Sequence, residues 1–92
     1  MQQELLELNE EIEDLEDSYV EAELVYEFKK AELLLGTDFA AVIGKANPTV
    51  AEKDAYVTLE CREEKERYKF LGVTISSKKR RLDILLKGSG EA

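Results

Sequence analysis

Apolar side chains recur along the first half of the chain at alternating intervals of three and four residues. They are Leu5, Leu8, Ile12, Leu15, Tyr19, Ala22 and Tyr26, with Leu33 following after a gap of seven. Such a heptad repeat places one apolar stripe along an α-helix, where it packs against another helix. Lys29 stands at the one position in this repeat where a further apolar residue is expected. The pattern predicts a long amphipathic helix and restricts the fold to helix-on-helix packing.

The first helix is predicted to cover about residues 3–43, followed by a turn over 44–48. Gly36-Thr37-Asp38 could end it early, leaving a short helical turn over Phe39–Ile43. Alternatively it runs through to Ile43, where Gly44 ends it. We favour a continuous helix with a kink at 36–38.

A second heptad repeat follows the turn. It comprises Val57, Cys61, Glu64, Tyr68, Leu71, Ile75, Lys78, Leu82 and Leu85. Asn47-Pro48 disfavours helix before it, and Thr49 to Glu52 matches a capping box. The second helix is therefore predicted over about 49–87, with a frayed tail over 88–92 after Gly88-Ser-Gly90. Gly72 to Ile75 are poor helix formers and mark a possible weak point or break.

Two heptad helices joined by a short turn predict a single all-α domain over 1–92, an antiparallel helical hairpin. A turn near 46–47 places residue i opposite residue 93 − i. The two polar interruptions, Lys29 and Glu64, then form a cross-helix pair of opposite charge. A shifted register would bury each charge alone, which is costly. The apolar pairs predicted by the same register are Tyr26–Tyr68, Tyr19–Ile75, Ile12–Leu82 and Leu8–Leu85.

Charge is distributed unevenly along a chain whose net charge is −8. Residues 1–28 contain eleven acids and no Lys or Arg, whereas four bases follow one another at Lys78, Lys79, Arg80 and Arg81. The register places this basic run beside the acidic first helix. We favour a role in neutralising that helix, within the hairpin or across a dimer. The alternative is contact with nucleic acid, in which each base neutralises a phosphate.

Residue types that carry most chemistry are scarce. The chain has no His, and its single Cys61 falls at a core position, so no metal site, cofactor or catalytic residue is expected. Glu10, Asp14 and Asp17 are helical neighbours that could hold a divalent cation only weakly. The tyrosines on the seam are interpreted as core residues rather than base-stacking platforms. The sequence favours a protein that is not an enzyme.

One seam leaves many apolar residues unburied. They are Leu6, Val20, Leu24, Val25, Phe28, Leu34, Leu35, Leu59, Phe70, Val73, Ile84 and Leu86. Their exposure predicts self-association into a four-helix-bundle dimer or a higher oligomer. The chain has no signal-peptide pattern and no apolar run of about 20 residues, which predicts a soluble intracellular protein that does not bind membranes.

Residues 48–87 contain a Thr-Val-Ala-Glu start, an aromatic-containing heptad and a closing Arg-Leu-Asp-Ile-Leu. This segment resembles the second helix of short phage-encoded helical-hairpin proteins, which are similar to phage recombination mediators. The resemblance implies an oligomeric accessory factor in the cytoplasm of a bacterial host, with Lys78 to Arg81 at the positions that could serve DNA. The strongly acidic first helix, with no Lys or Arg before residue 29, departs from that pattern. The alternative hypothesis is an acidic, nucleic-acid-mimicking inhibitor of a host DNA-binding or defence protein.

Overall fold

The computed structural model describes the backbone of residues 2–90 and the side chains of residues 2–88. Four helices follow one another in this range: α1 (Gln2–Gly36), α2 (Phe39–Ile43), α3 (Val50–Glu60) and α4 (Arg62–Gly90). No strand occurs among these residues. The predicted all-α class is confirmed.

The chain forms a rod of 68 × 18 × 14 Å, because α1 packs along α4 over most of its length. Residue numbers on the two helices run in opposite directions across the seam, as the pairs Lys29–Glu64 and Glu11–Lys78 show. The arrangement is therefore an antiparallel helical hairpin. One seam between two helices gives a narrow core rather than a layered one.

The core is thickest near the turn. There Tyr26, Phe39, Val57 and Cys61 form one buried cluster, and Leu33, Ile43, Tyr56 and Tyr68 pack against it. Farther along the seam the buried apolar residues are Leu8, Ile12, Ala22 and Ile75. The rings of Tyr26 and Tyr68 stack with centroids 5.3 Å apart, so this predicted pair is present.

The first helix is not continuous through the glycine, contrary to the favoured prediction. It ends at Gly36, and a separate short helix covers Phe39–Ile43, which was the other alternative. Asp38 caps this short helix, since its Oδ1 accepts a hydrogen bond of 3.2 Å from the Ala41 amide. The break turns Phe39 into the core, where its ring meets Tyr56 edge-on. A straight helix would lose both the cap and this burial.

The second helix starts where predicted, but its irregularity lies elsewhere. Thr49 and Glu52 form the capping box, with both reciprocal hydrogen bonds at 3.1 Å. The possible break at Gly72 to Ile75 does not occur, because α4 is helical throughout this stretch. The interruption falls instead at Cys61, whose φ of −99° and ψ of 13° leave the helical range.

The end of the second helix also differs from the prediction. Helix α4 continues past Lys87 to Gly90. Gly88 lacks the left-handed φ that a glycine stop signal requires, whereas Gly44 has it, at 76°. Of the tail predicted to be frayed, residues 91 and 92 lie outside the described range.

Candidate functional site

The predicted basic run contributes a layer of ion pairs at the open end of the hairpin. The pairs are Lys78–Glu11 at 2.8 Å, Lys79–Glu16 at 3.6 Å and Arg81–Glu4 at 3.2 Å. All six side chains keep at least a third of their surface in solvent. Within the described residues, no carboxylate lies within 4.0 Å of the Arg80 guanidinium.

These pairs do not follow the 93 − i register strictly. That register places Lys78 opposite Leu15 and Arg81 opposite Ile12. The carboxylates that pair with these two bases, Glu11 and Glu4, lie about one and two helical turns nearer the N terminus. Long side chains can reach along the rod, so charge partners need not lie at the same level as backbone neighbours. The hydrogen bond from Lys78 lowers the pKa of Glu11 below its usual value of 4.5.

Lys29 and Glu64, the two interruptions of the heptads, are brought together by the fold. The Nζ of Lys29 donates a hydrogen bond of 2.7 Å to Oε1 of Glu64. This bond raises the pKa of Lys29 and lowers the pKa of Glu64. The other carboxylate oxygen of Glu64 is buried without a protein partner. The pair therefore fixes the alignment of the helices at a polar gap in the seam.

Cys61 lies beside this polar pair but is closed off from solvent. Its exposed fraction is 0%. Burial raises the pKa of the thiol, which keeps it protonated and unreactive near neutral pH. Its position favours a packing role.

A shallow groove of about 980 Å³ runs along one flank of the hairpin and is centred near Gly72. Tyr19, Tyr68 and Ile75 line its floor. A Cβ at position 72 would lie 3.2 Å from Cε2 of Tyr19, so the missing side chain lets the tyrosine ring lie on α4. Gly72 and Tyr19 are therefore in close contact across the seam within the groove.

The rim of this groove combines apolar and basic side chains. Val20 on α1 and Val73 on α4 are 57% and 69% exposed. Lys69, Lys79 and Arg80 line the α4 side. The remaining lining residues are Glu16, Ser76 and Ser77. We call this feature, with its floor and rim, the Gly72 groove.

Sequence reasoning missed the Gly72 groove and the buried Phe39. The sequence marks Gly72 only as a poor helix former, although the register already places Tyr19 within one turn of it. Phe39 follows Asp38, and an Asx residue before an apolar one is a helix-start signal. Tyr56, which lies next to the second heptad seam, is half-buried against Phe39.

The described residues offer no group of three or more carboxylates or thiols placed to hold a metal ion. None of the described helices is long and apolar enough to span a membrane. Comparison of the chain with protein-family models, curated protein sequences and solved structures found no match.

Proposed function

We propose that the hairpin is a non-enzymatic, self-associating module that binds or scaffolds other proteins. Its exposed apolar surface carries this proposal. Fourteen large apolar side chains are at least 42% exposed, against eight apolar residues that are buried. The most exposed of the large ones include Phe28, Phe70 and Leu35, with exposed fractions of 67%, 70% and 90%. Monomeric proteins rarely leave groups of such side chains in contact with solvent.

Sedimentation velocity across micromolar concentrations tests self-association. We expect a species of at least twice 10.5 kDa that dissociates on dilution. A single 10.5 kDa species at every concentration would contradict the oligomeric part of the proposal.

Within this function, a role as an accessory factor in phage DNA recombination draws support from the resemblance of residues 48–87. In that role the hairpin would act through protein contacts. Three of the four bases at 78–81 pair with carboxylates of α1. Those carboxylates would repel the phosphates of a nucleic acid that approached the same bases.

A gel shift with labelled single-stranded DNA at low salt separates indirect from direct action. We expect no shift for the wild-type protein. A shift that weakens steeply with salt, and that is lost when Lys78, Lys79, Arg80 and Arg81 become Gln, would overturn this expectation and assign the bases to DNA.

The acidic surface of α1 supports a second candidate, an inhibitor that mimics nucleic acid. Residues 2–36 carry twelve acids and two bases, and eleven of the twelve acids precede the first base. All twelve acidic residues are exposed along the 35-residue helix. A rod of negative charge can occupy the basic channel of a DNA-binding protein.

Affinity capture from bacterial lysate tests this candidate. The wild-type protein is compared with a variant in which Glu10, Asp14 and Asp17 become Gln, and duplex DNA is added as competitor. Capture of DNA-binding proteins that DNA displaces, and that the variant fails to capture, would support mimicry. Capture of none would remove it.

A further inference from the structure

The Gly72 groove is apolar along its floor and edges and basic on its α4 side, and two of its bases have no ion-pair partner among the described residues. Its floor and edges are apolar, through Tyr19, Val20 and Val73, while its α4 side carries Lys69 and Arg80. Neither base has a carboxylate within 4.0 Å in the described part of the chain. The groove therefore fits an apolar helix face that is bordered by acids.

Helix α1 of this protein has such a face. Val20 and Leu24, one turn apart, are 57% and 51% exposed, and Glu23 and Glu27 lie beside them. Helix α1 carries twelve acids and two bases, for a net charge of −10, whereas α4 carries nine bases and four acids, for +5. The best complement to α4 in the molecule is therefore a second α1.

The surface area of the chain also leaves room for a second copy. A compact monomer of 10.5 kDa is expected to expose about 5,400 Å². The hairpin exposes 6851 Å², an excess of roughly 1,400 Å². A stable protein interface removes about 800 Å² from each partner, so a dimer fits within this excess.

We propose that the Gly72 groove is the docking site for α1 of a second copy, in a dimer whose two-fold axis runs parallel to the long axis of the rod. Such an axis keeps every residue at its own level along the rod and places each α1 on the partner's α4. Val20 and Val73 line one groove and so share a level, and Val20 of one copy then meets Val73 of the other. An axis perpendicular to the rod would instead pack α1 against the partner's α1, and would bring together two helices that each have a net charge of −10.

This inference rests on the self-association in the proposed function and adds its geometry. Crosslinking of single-cysteine additions tests that geometry. A chain with Val20→Cys and a tagged chain of different mass with Val73→Cys are unfolded together, refolded and oxidised with copper-phenanthroline. We expect the mixed disulfide to dominate over either homodimer. Wild type, with only the buried Cys61, is the background control.

The outcomes separate the geometry from the function. If Val20→Cys crosslinks mainly to itself, or if Val73→Cys links equally well to Val50→Cys, the axis is wrong while self-association stands. Val50 is 75% exposed and lies at the turn end of the rod, away from the groove. If sedimentation finds a monomer at every concentration, both the groove inference and the oligomeric function fail.

A charge placed in the groove provides a second test. Val73→Glu leaves the hairpin seam untouched, because Val73 points into solvent in the single chain. We expect the dissociation constant of the dimer to rise at least about tenfold, with the helical circular dichroism preserved. Val50→Glu is the matched control and should leave the dissociation constant unchanged. Equal constants for both variants would remove the groove from the interface.

Discussion

At the scale of single residues, one polar pair in the apolar seam bears on how the two helices align. Lys29 and Glu64 each break an apolar repeat, and each would be unfavourable there alone. Their hydrogen bond of 2.7 Å makes the gap tolerable in one alignment of the helices. The pair is matched in this register and would be separated in a shifted one.

Charge reversal tests this role. Lys29→Glu should lower the melting temperature, because two carboxylates then share a partly enclosed site. Adding Glu64→Lys should recover much of the loss, since the swapped pair restores opposite charges. Thermal melts of the wild type, both single variants and the double variant give the coupling. If the double variant is no more stable than the sum of the two single effects predicts, the two side chains do not interact.

The same pair predicts a pH dependence. The folded pKa of Glu64 lies below its ordinary 4.5, so its contribution is present above that value and is lost as pH falls through the folded pKa. Wild type should therefore exceed Glu64→Gln in stability near neutral pH, and the difference should vanish in acid, where both side chains are neutral. Denaturant unfolding of the two proteins from about pH 7 to about pH 3 measures it. A difference independent of pH would show that the charge of Glu64 has no role.

At the scale of helices, the ends are fixed by caps and the interruptions by contacts across the seam. Thr49 and Asp38 cap α3 and α2 through their side chains. Gly72 does not interrupt α4, and the Tyr19 ring packs against it from across the seam. The helix therefore continues through residues that form helix poorly.

Two glycines give opposite predictions. Gly44 has a left-handed φ of 76°, so Gly44→Ala should destabilise by roughly 1–2 kcal/mol. Gly36 ends α1 without a positive φ, and beyond the adjacent residues and local helix backbone no atom lies within 4 Å of the place that an alanine methyl group would take. Gly36→Ala should therefore stabilise by about 0.4–1 kcal/mol. Chemical denaturation of both variants checks the signs. A stabilising Gly44→Ala would mean that this turn is not held in the left-handed form.

The capping box gives a further prediction at this scale. Thr49→Ala removes the acceptor for the Glu52 amide and should cost about 0.5–2 kcal/mol. Thr58→Ala, at an exposed position inside α3, is the matched control and should change stability little. The free energy of unfolding of both variants decides the matter. Equal losses would show that the box contributes nothing beyond an ordinary threonine.

At the scale of the whole molecule, the rod is an electrostatic pair of unlike helices. The acidic α1 and the basic α4 attract within one chain, and the surface pairs at the open end are its visible contacts. Individually, such exposed pairs are weak and screened by salt. The summed charge of each helix still favours packing of α1 against α4 over packing of two like-charged helices. The same charge pattern underlies the dimer geometry that we propose.

Removing the basic run tests this balance. Changing Lys78, Lys79, Arg80 and Arg81 to Gln should lower the melting temperature modestly, with a loss that shrinks as salt rises, since screening acts over about 8–10 Å at ordinary ionic strength. Lys87→Gln is the control, because Lys87 makes no ion pair in the described structure. Melts in low and high salt measure the effect. A loss equal at both salts would exclude neutralisation of α1.

The sequence alone determined the hairpin, its turn, the capped start of the second helix and the alignment of Lys29 with Glu64. These follow from periodicity and local capping, which neighbouring residues specify. Only the tertiary structure decided where the helices break and which carboxylates of α1 pair with Lys78, Lys79 and Arg81. The contact at Gly72 depends on a ring from the opposite helix of the hairpin, and the burial of Phe39 depends on the break at 37–38. Contacts between residues distant in the chain set these features, and a periodic pattern does not specify them.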